Sequence, residues 1–491
     1  MRGTWVLVCV LVGAAAAAAG QSRDENWNKC KADDPDTSIA GCTALIQSGA
    51  ESTVDQASAY YNRGIAYHDK KDLESAMRDL NQALSLKADF PGALNSRGNV
   101  YTDLKDYDRA IADYNEALRL DPNHKLAYYN RGNAYSDKGE YHTAIADYDK
   151  YLELDSSDPD GFNNRGHAYM MSGDLDQAES NFNAALRLDG HHANATLNLG
   201  IVYNRRRQYD MAIEQIDKYI ALKPNDSEGY GALGDPYRHK MQYDQAIAAY
   251  TKAIELNPQY ALAYYNRGVC YSRAGQYDNA IEDFGRYIEL APKDVDGYSS
   301  RGLALLGKSQ YERAIEDFEK MNELQSNNQL SFFDRGCAHL LESQTREAIA
   351  DFQLSVAADP KASTAVYATL WLHIARKRLG EENADDITKE ADRANLTIWP
   401  GPALKMFLDE LTPDQMLAAA VDANPETQVS QMCEGNFYSA EYSLIHQRRT
   451  AAATMFRAAR DVCPKDYVEY AETLVELKKL GAPTPARPAA H

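Results

Sequence analysis

Positive charge is in short supply in this chain, with 52 lysines and arginines against 72 aspartates and glutamates and a formal charge of −20. No clustered basic run offsets that balance, so a phosphate backbone would find little to bind, and no nucleic-acid partner is expected. Catalytic signatures are missing as well. There is no HExxH, GxSxG, GxxxxGK[ST] or CxxC, which removes the usual metal, nucleophile and phosphate-loop chemistries. The 11 histidines are scattered, and His167, His191 and His192 have no ligand spacing, so no metal, no cofactor and no enzymatic activity are expected. Long apolar runs are also lacking. Trp5 to Ala19 spans about fifteen residues where a membrane-crossing helix needs about 20. With Arg2 before it and Ala17, Ala19 and Gly20 closing it, that run reads as a cleavable export signal over residues 1–20, and the mature chain is expected in the periplasm or outside the cell. Leu7 and Val8 make Cys9 a poor lipid-attachment site.

What is present is ample material for a core: 491 residues, 44% hydrophobic and 25% charged, the composition of a globular protein. Cys30 and Cys42 flank the turn Asp33-Asp34-Pro35-Asp36, and Cys433 and Cys463 flank an apparent helix pair. Both pairs suit disulfides in an oxidising compartment; four unrelated core cysteines remain the alternative. Cys270 and Cys337 are two repeats apart, too far to bridge, and are expected to be buried and free.

The dominant signal is periodic. Glycine recurs at Gly64, Gly98, Gly132, Gly166, Gly200, Gly234, Gly268, Gly302 and Gly336, each 34 residues after the last. Twelve residues after each glycine stands an alanine, from Ala76 to Ala348, and a polar turn such as Lys70-Lys71-Asp72 separates two helical patterns. Helix-turn-helix units of this period resemble the tetratricopeptide repeat (TPR), in nine units over residues 57–362. The fold class expected is therefore all-α, a TPR α-solenoid, and the resemblance implies a right-handed superhelix whose first helices line an inner channel. With glycine at position 8 of each unit and alanine at position 20, the two helices are expected to meet at those small residues.

Position 7 should lie opposite position 23. Arg63, Arg97, Arg131, Arg267, Arg301 and Arg335 share their units with Asp79, Asp113, Asp147, Asp283, Asp317 and Asp351, whereas Leu199 and Leu233 come with Gln215 and Ala249. Arg165 comes with Asn181. Joint presence and absence argues for contact between the two side chains, an ion pair worth at most about 1 kcal/mol if solvated.

Position 6 carries an amide row, Asn62, Asn130, Asn164, Asn198 and Asn266. An amide can pair with both N–H and C=O of a peptide, so such a row can grip an extended chain without reading its sequence; local helix-surface bonding is the alternative. Other channel positions supply Asn95, Asn99, Asn133, Asp69, Asp103 and Asp137 early, then Arg205, Arg238, His239 and Arg273, then Leu303, Leu306, Phe333, Leu340 and Leu341. Lysines of the family's carboxylate clamp are absent. Repeats five and six also lose the ion pair and place Pro236 inside a helix, which marks a site, a hinge or a degenerate unit.

Residues 21–56 read as an N-terminal cap clipped by Cys30 and Cys42, and 363–481 as a C-terminal helical region. Helices are expected there at Ala365 to Leu379, Pro402 to Leu411, Pro413 to Asp422 and Glu426 to Gln447. Ala440, Ala452, Phe456, Ala459 and Pro464 fit one last irregular unit, and the proline-rich tail 482–491 is expected to stay unfolded. WPGPALKMFLDELTPDQML and the segment from CEGNFYSAEYSL to VELKKLG resemble the C-terminal part of exported proteins related to the lipoprotein NlpI. That resemblance implies a periplasmic adaptor that docks envelope enzymes such as hydrolases or proteases. A homodimer stays open. The competing functional reading is a carbohydrate or peptidoglycan binder using Tyr61, Tyr129 and Tyr265 as stacking surfaces.

Overall fold

The computed structural model describes residues 22–381, 385–393 and 396–481, so the expected signal at 1–20, Cys9 and the tail at 482–491 lie outside the described residues. Among the described residues all regular elements are helices. They fall into two compact units that divide between Arg206 and Arg207.

The first unit opens with a helix at 22–30 and the helix Pro35–Ser48, joined by the Cys30–Cys42 bond. Cys42 is fully buried, where the repeats place alanine. Four helix pairs follow: Thr53–Asp69 with Leu73–Leu86, Pro91–Asp103 with Tyr107–Leu120, Lys125–Asp137 with Tyr141–Leu154, and Pro159–Ser172 with Leu175–Leu188. The first helix of repeat five, Ala193–Arg205, ends the unit. Local chemistry sets these bounds. Asp72, Asp106 and Asp174 cap the second helices by accepting from backbone N–H groups, and Pro91 and Pro159 occupy the first turn, where no N–H is needed.

Within each pair the turn is uniform. Position 15 adopts positive φ in every unit: Lys71, Lys105, Gly139, Gly173, Arg207, Met241, Gly275, Ser309 and Ser343. Only three of these are glycine, so six units hold a side chain in the left-handed region at some cost.

The small residue at position 8 does not serve quite as the spacing suggested. A Cβ added at Gly132 would come 2.9 Å from a ring carbon of Tyr148, and one at Gly98 would come 2.5 Å from Tyr114. At Gly64 the neighbour is Leu80, at 2.9 Å, with the Ala76 carbonyl farther off at 3.5 Å. Glycine thus receives a large side chain from position 24 rather than merely facing the alanine at position 20. Those large residues, Leu80, Tyr114, Tyr148, Phe182, Phe284, Phe318 and Phe352, are buried in the centre of each pair.

The second unit carries the second helix of repeat five, Tyr209–Leu222, and the pairs of repeats six to nine, ending at Ala358. The helix Ser227–His239 runs through Pro236, which is buried. Then come Ser363–Arg378, three short helices, and the hairpin Pro425–Ile445 with Arg449–Val462, joined by the Cys433–Cys463 bond. Gln447, at position 15 of that irregular unit, has φ 58 like its counterparts. The helices expected at Pro402 to Leu411 and Pro413 to Asp422 are shorter, Gly401–Phe407 and Pro413–Ala419. Asp409 at φ 61 breaks the first, and Thr412 with Gln415 forms a capping box that starts the second.

The terminal helix, Val468–Lys479, was not legible as an element. Its Val468, Ala471 and Val475 pack into the cluster holding Leu305, Leu306 and Leu341 of repeats eight and nine.

Candidate peptide-binding wall

In the third repeat the stretch Tyr128-Tyr129-Asn130-Arg131-Gly132 can be read residue by residue. Arg131 donates through Nε and Nη2 to both oxygens of Asp147, at 2.8 and 2.5 Å, and through Nη1 to Asn115 Oδ1 of the preceding repeat at 2.6 Å. The Tyr128 ring lies 5.6 Å under its guanidinium. All six expected Arg–Asp pairs form in this way, and Arg165 reaches Asn181 at 2.8 Å. The carboxylates are not solvated, since Asp147 is 5% exposed. Arg63, Arg97, Arg131 and Arg267 also donate to Thr43, Asn81, Asn115 and Thr251 of the unit before, and Arg335 pairs with Glu319, whereas Arg301 has Gly285 at that place. Most of these arginines thus tie their own second helix to the preceding unit, which is more than the modest surface pair that spacing implied.

The amides of the first unit bond chiefly to one another. Asn130 Nδ2 donates to Asn95 Oδ1 at 3.0 Å and Asn198 Nδ2 to Asn163 Oδ1 at 3.1 Å. Asn164 Nδ2 donates to Tyr129 Oη at 2.9 Å and to Asn133 Oδ1 at 3.1 Å, while its own Oδ1 accepts from Asn163. Asn99 and Asn133 each accept a phenol from the same repeat, Tyr114 and Tyr148. Asn62 approaches Cys30 Sγ. In the second unit Asn266 reaches Asp235 at 3.5 Å. Asn164 uses both of its N–H groups between repeats, whereas Asn130 and Asn198 each commit one, leaving a second N–H and the Oδ1 outside these bonds. Asp69, Asp103 and Asp137 stand exposed beside it, with Asp103 held by His68 and Lys71. Burial pushes the Asp137 carboxyl above its ordinary range.

The basic zone does not form an open surface. In the first unit Arg205 donates to the Met170 carbonyl at 3.0 Å. In the second, Arg238 is half-buried, 3.9 Å from Asp235, and His239 stacks on Tyr209 at 5.5 Å. Arg273 binds Asp466 at 2.9 Å and lies over Tyr467. Arg273 is thus withdrawn from any external ligand by the loop that leads into the terminal helix. Leu306, Leu340 and Leu341, expected at the apolar end of the channel, are buried for a related reason, because the chain's own C-terminal helices cover them.

The tyrosines expected as stacking surfaces are each in contact with another ring. Tyr61 packs on Phe90, Tyr129 on Tyr151 and Tyr265 on Tyr287, with centroids 4.8, 5.0 and 5.1 Å apart. His192 caps its helix and bonds Asp160 at 3.0 Å. No group of metal-holding side chains occurs among the described residues, and no described helix is long and apolar enough to cross a membrane.

Comparison with known proteins follows the repeats. Residues 98–139, 132–173 and 234–275 match the family described as TPR repeat, and 261–294, 163–227 and 57–90 match tetratricopeptide repeat models. Among solved structures, MamA is 30% identical over 33% of this chain and 94% of its own, with a TM-score of 0.31. YrrB, described as a TPR protein with an unusual peptide-binding site, is 23% identical over 38% of this chain and 95% of its own, at 0.32. Yeast Tom70 is 14% identical over 87% of this chain and 96% of its own, at 0.37. The 34-residue units are tetratricopeptide repeats, and the protein they build is a TPR α-solenoid.

Proposed function

We propose that the protein is a non-catalytic, exported scaffold that holds an extended segment of a partner protein against the first helices of repeats one to five. The observation that carries this reading is the amide row. Asn130, Asn164 and Asn198 recur one repeat apart and are held in place by neighbours, with acceptor oxygens left over for the N–H groups of a peptide. The repeats support a protein–protein interaction scaffold in general. Export is supported by the apolar N-terminal run and by two cystines, which persist in oxidising compartments. The likeness of the C-terminal segment to NlpI-related adaptors favours envelope enzymes as partners. Because Tyr61, Tyr129 and Tyr265 are each already packed on another aromatic ring, peptidoglycan binding is the weaker reading.

The test is capture of partners from periplasmic extract by the mature chain, beside Asn130→Ala with Asn198→Ala. Each lost backbone contact is worth about 1 kcal/mol, so the double variant should weaken a captured partner by roughly 30-fold, measured well below a melting transition that loss of the bonds to Asn95 and Asn163 also lowers. Equal capture by both chains, or peptidoglycan sedimentation without any protein partner, would overturn the proposal.

A further inference from the structure

The terminal helix buries an unusual face. Apart from Leu477, its buried residues are Glu469, Glu472, Thr473 and Glu476. From the elements packed around it come Asp334 and Cys337 of repeat nine, Tyr367 and Arg378 of Ser363–Arg378, and Glu434, Tyr438 and Glu441 of Pro425–Ile445. Arg460 lies near Tyr470 on the outer side. Six carboxyl groups, those of Asp334, Glu434, Glu441, Glu469, Glu472 and Glu476, are each 9% exposed or less. Among the described residues, Arg378 and Lys479 pair with them. Arg378 binds Glu441 at 2.8 Å, Glu476 at 3.3 Å and Glu472 more closely, and the half-exposed Lys479 binds Glu476 at 2.7 Å. Glu434 takes neutral donors, Trp399 at 2.6 Å and Tyr367 at 2.9 Å. Asp334 Oδ2 and Glu472 Oε2 have no hydrogen-bond partner among the described residues.

An unpaired carboxylate in such surroundings takes up a proton rather than remain charged. The docked helix therefore binds protons that the undocked helix would release. We propose that the terminal helix is a proton-gated plug, docked over the wall of repeats eight and nine while Asp334, Glu441 and Glu469 are protonated and released when they ionise.

Burial pushes Glu469 up to about 8 and Glu441 and Asp334 up to about 7. Acids raised in the docked state favour docking fully below the ordinary carboxyl range and lose that contribution as pH climbs through 7 to 8. Release would uncover Cys337, a buried free thiol that burial pushes well above its usual range.

The test uses the mature chain with both cystines intact and Cys270→Ala, so that Cys337 is the one free thiol among the described residues. Its alkylation by iodoacetamide is followed from pH 5.5 to 9, each rate divided by that of the urea-unfolded chain at the same pH. Hydrogen exchange of residues 468–479 is read beside that of 125–154. The expected result is at least a tenfold loss of Cys337 protection between pH 6 and 9, with faster exchange confined to 468–479. Glu469→Gln and, separately, Asp334→Asn should each move the midpoint to higher pH. Protection that does not change with pH, a midpoint that neither variant moves, or loss of protection at 125–154 in step with the terminal helix would overturn the proposal.

Discussion

Replacing Asp147 by alanine tests the arginine ties most directly. Both Asp147 oxygens are engaged by Arg131, and the aspartate side chain is 6% exposed beside a guanidinium that is 20% exposed. Removing one partner of a fully buried pair costs about 3–5 kcal/mol. Arg131 keeps Asn115 and can reach some water, so about 2–3 kcal/mol is expected here. Repeat four supplies an internal control. There Asn181 takes the place of the aspartate and still accepts from the arginine, so Asp147→Asn should cost only about 1 kcal/mol. Repeat proteins sum local stabilities and nearest-neighbour terms, so the loss should appear in urea denaturation followed by circular dichroism and, more sharply, as faster hydrogen exchange over 125–154. Equal effects of alanine and asparagine, or a loss below about 0.5 kcal/mol for alanine, would refute the view that these pairs are buried ties rather than surface decoration.

Other expectations follow from the same geometry. Met241, at φ 58, should gain about 0.5–1 kcal/mol on replacement by glycine, read as a higher urea midpoint for the second unit, whereas Gly275→Ala at φ 75 should lower it. Gly132→Ala forces a Cβ against Tyr148 and should cost about 1–3 kcal/mol; adding Tyr148→Leu should recover little of it in the same melt, since Leu80 stands as close to the Cβ position of Gly64. His373 is pushed down to about 4 by burial beside Phe407. A histidine lowered in the folded state contributes stability above its ordinary pKa, and that stability fades as pH falls from about 6.5 toward 4. His373→Phe should flatten the acid limb of the melting temperature against pH.

Much of the repeat region could be read because its determinants are local. Gly132, Ala144, Arg131 and Asp147 lie within one 34-residue unit, and loss of arginine at Leu199 together with aspartate at Gln215 betrays the contact. Position 24 is read from the sequence only at Phe456 of the last irregular unit, because in the nine regular units it varies among Leu, Tyr, Phe and Ile, so no letter repeats, although its size and burial do. Spacing also could not show that Asn130 would give its N–H to Asn95, since an amide's choice between a neighbour and a ligand depends on the relative placement of two repeats. The occupied end was hidden for a different reason. Tyr277 bonds the Lys465 carbonyl across 188 residues of sequence, and no periodic reading of repeat seven anticipates a partner so distant.

The amide row has a direction. Asn130, Asn164 and Asn198 all donate toward the lower-numbered repeat, as Asn266 does in the second unit. Within the first unit the three amides point the same way instead of cancelling, so that wall is a polar track with distinguishable ends. An extended guest laid N-to-C and one laid C-to-N would meet different fields on it, and a single orientation should prevail whatever the guest's side chains.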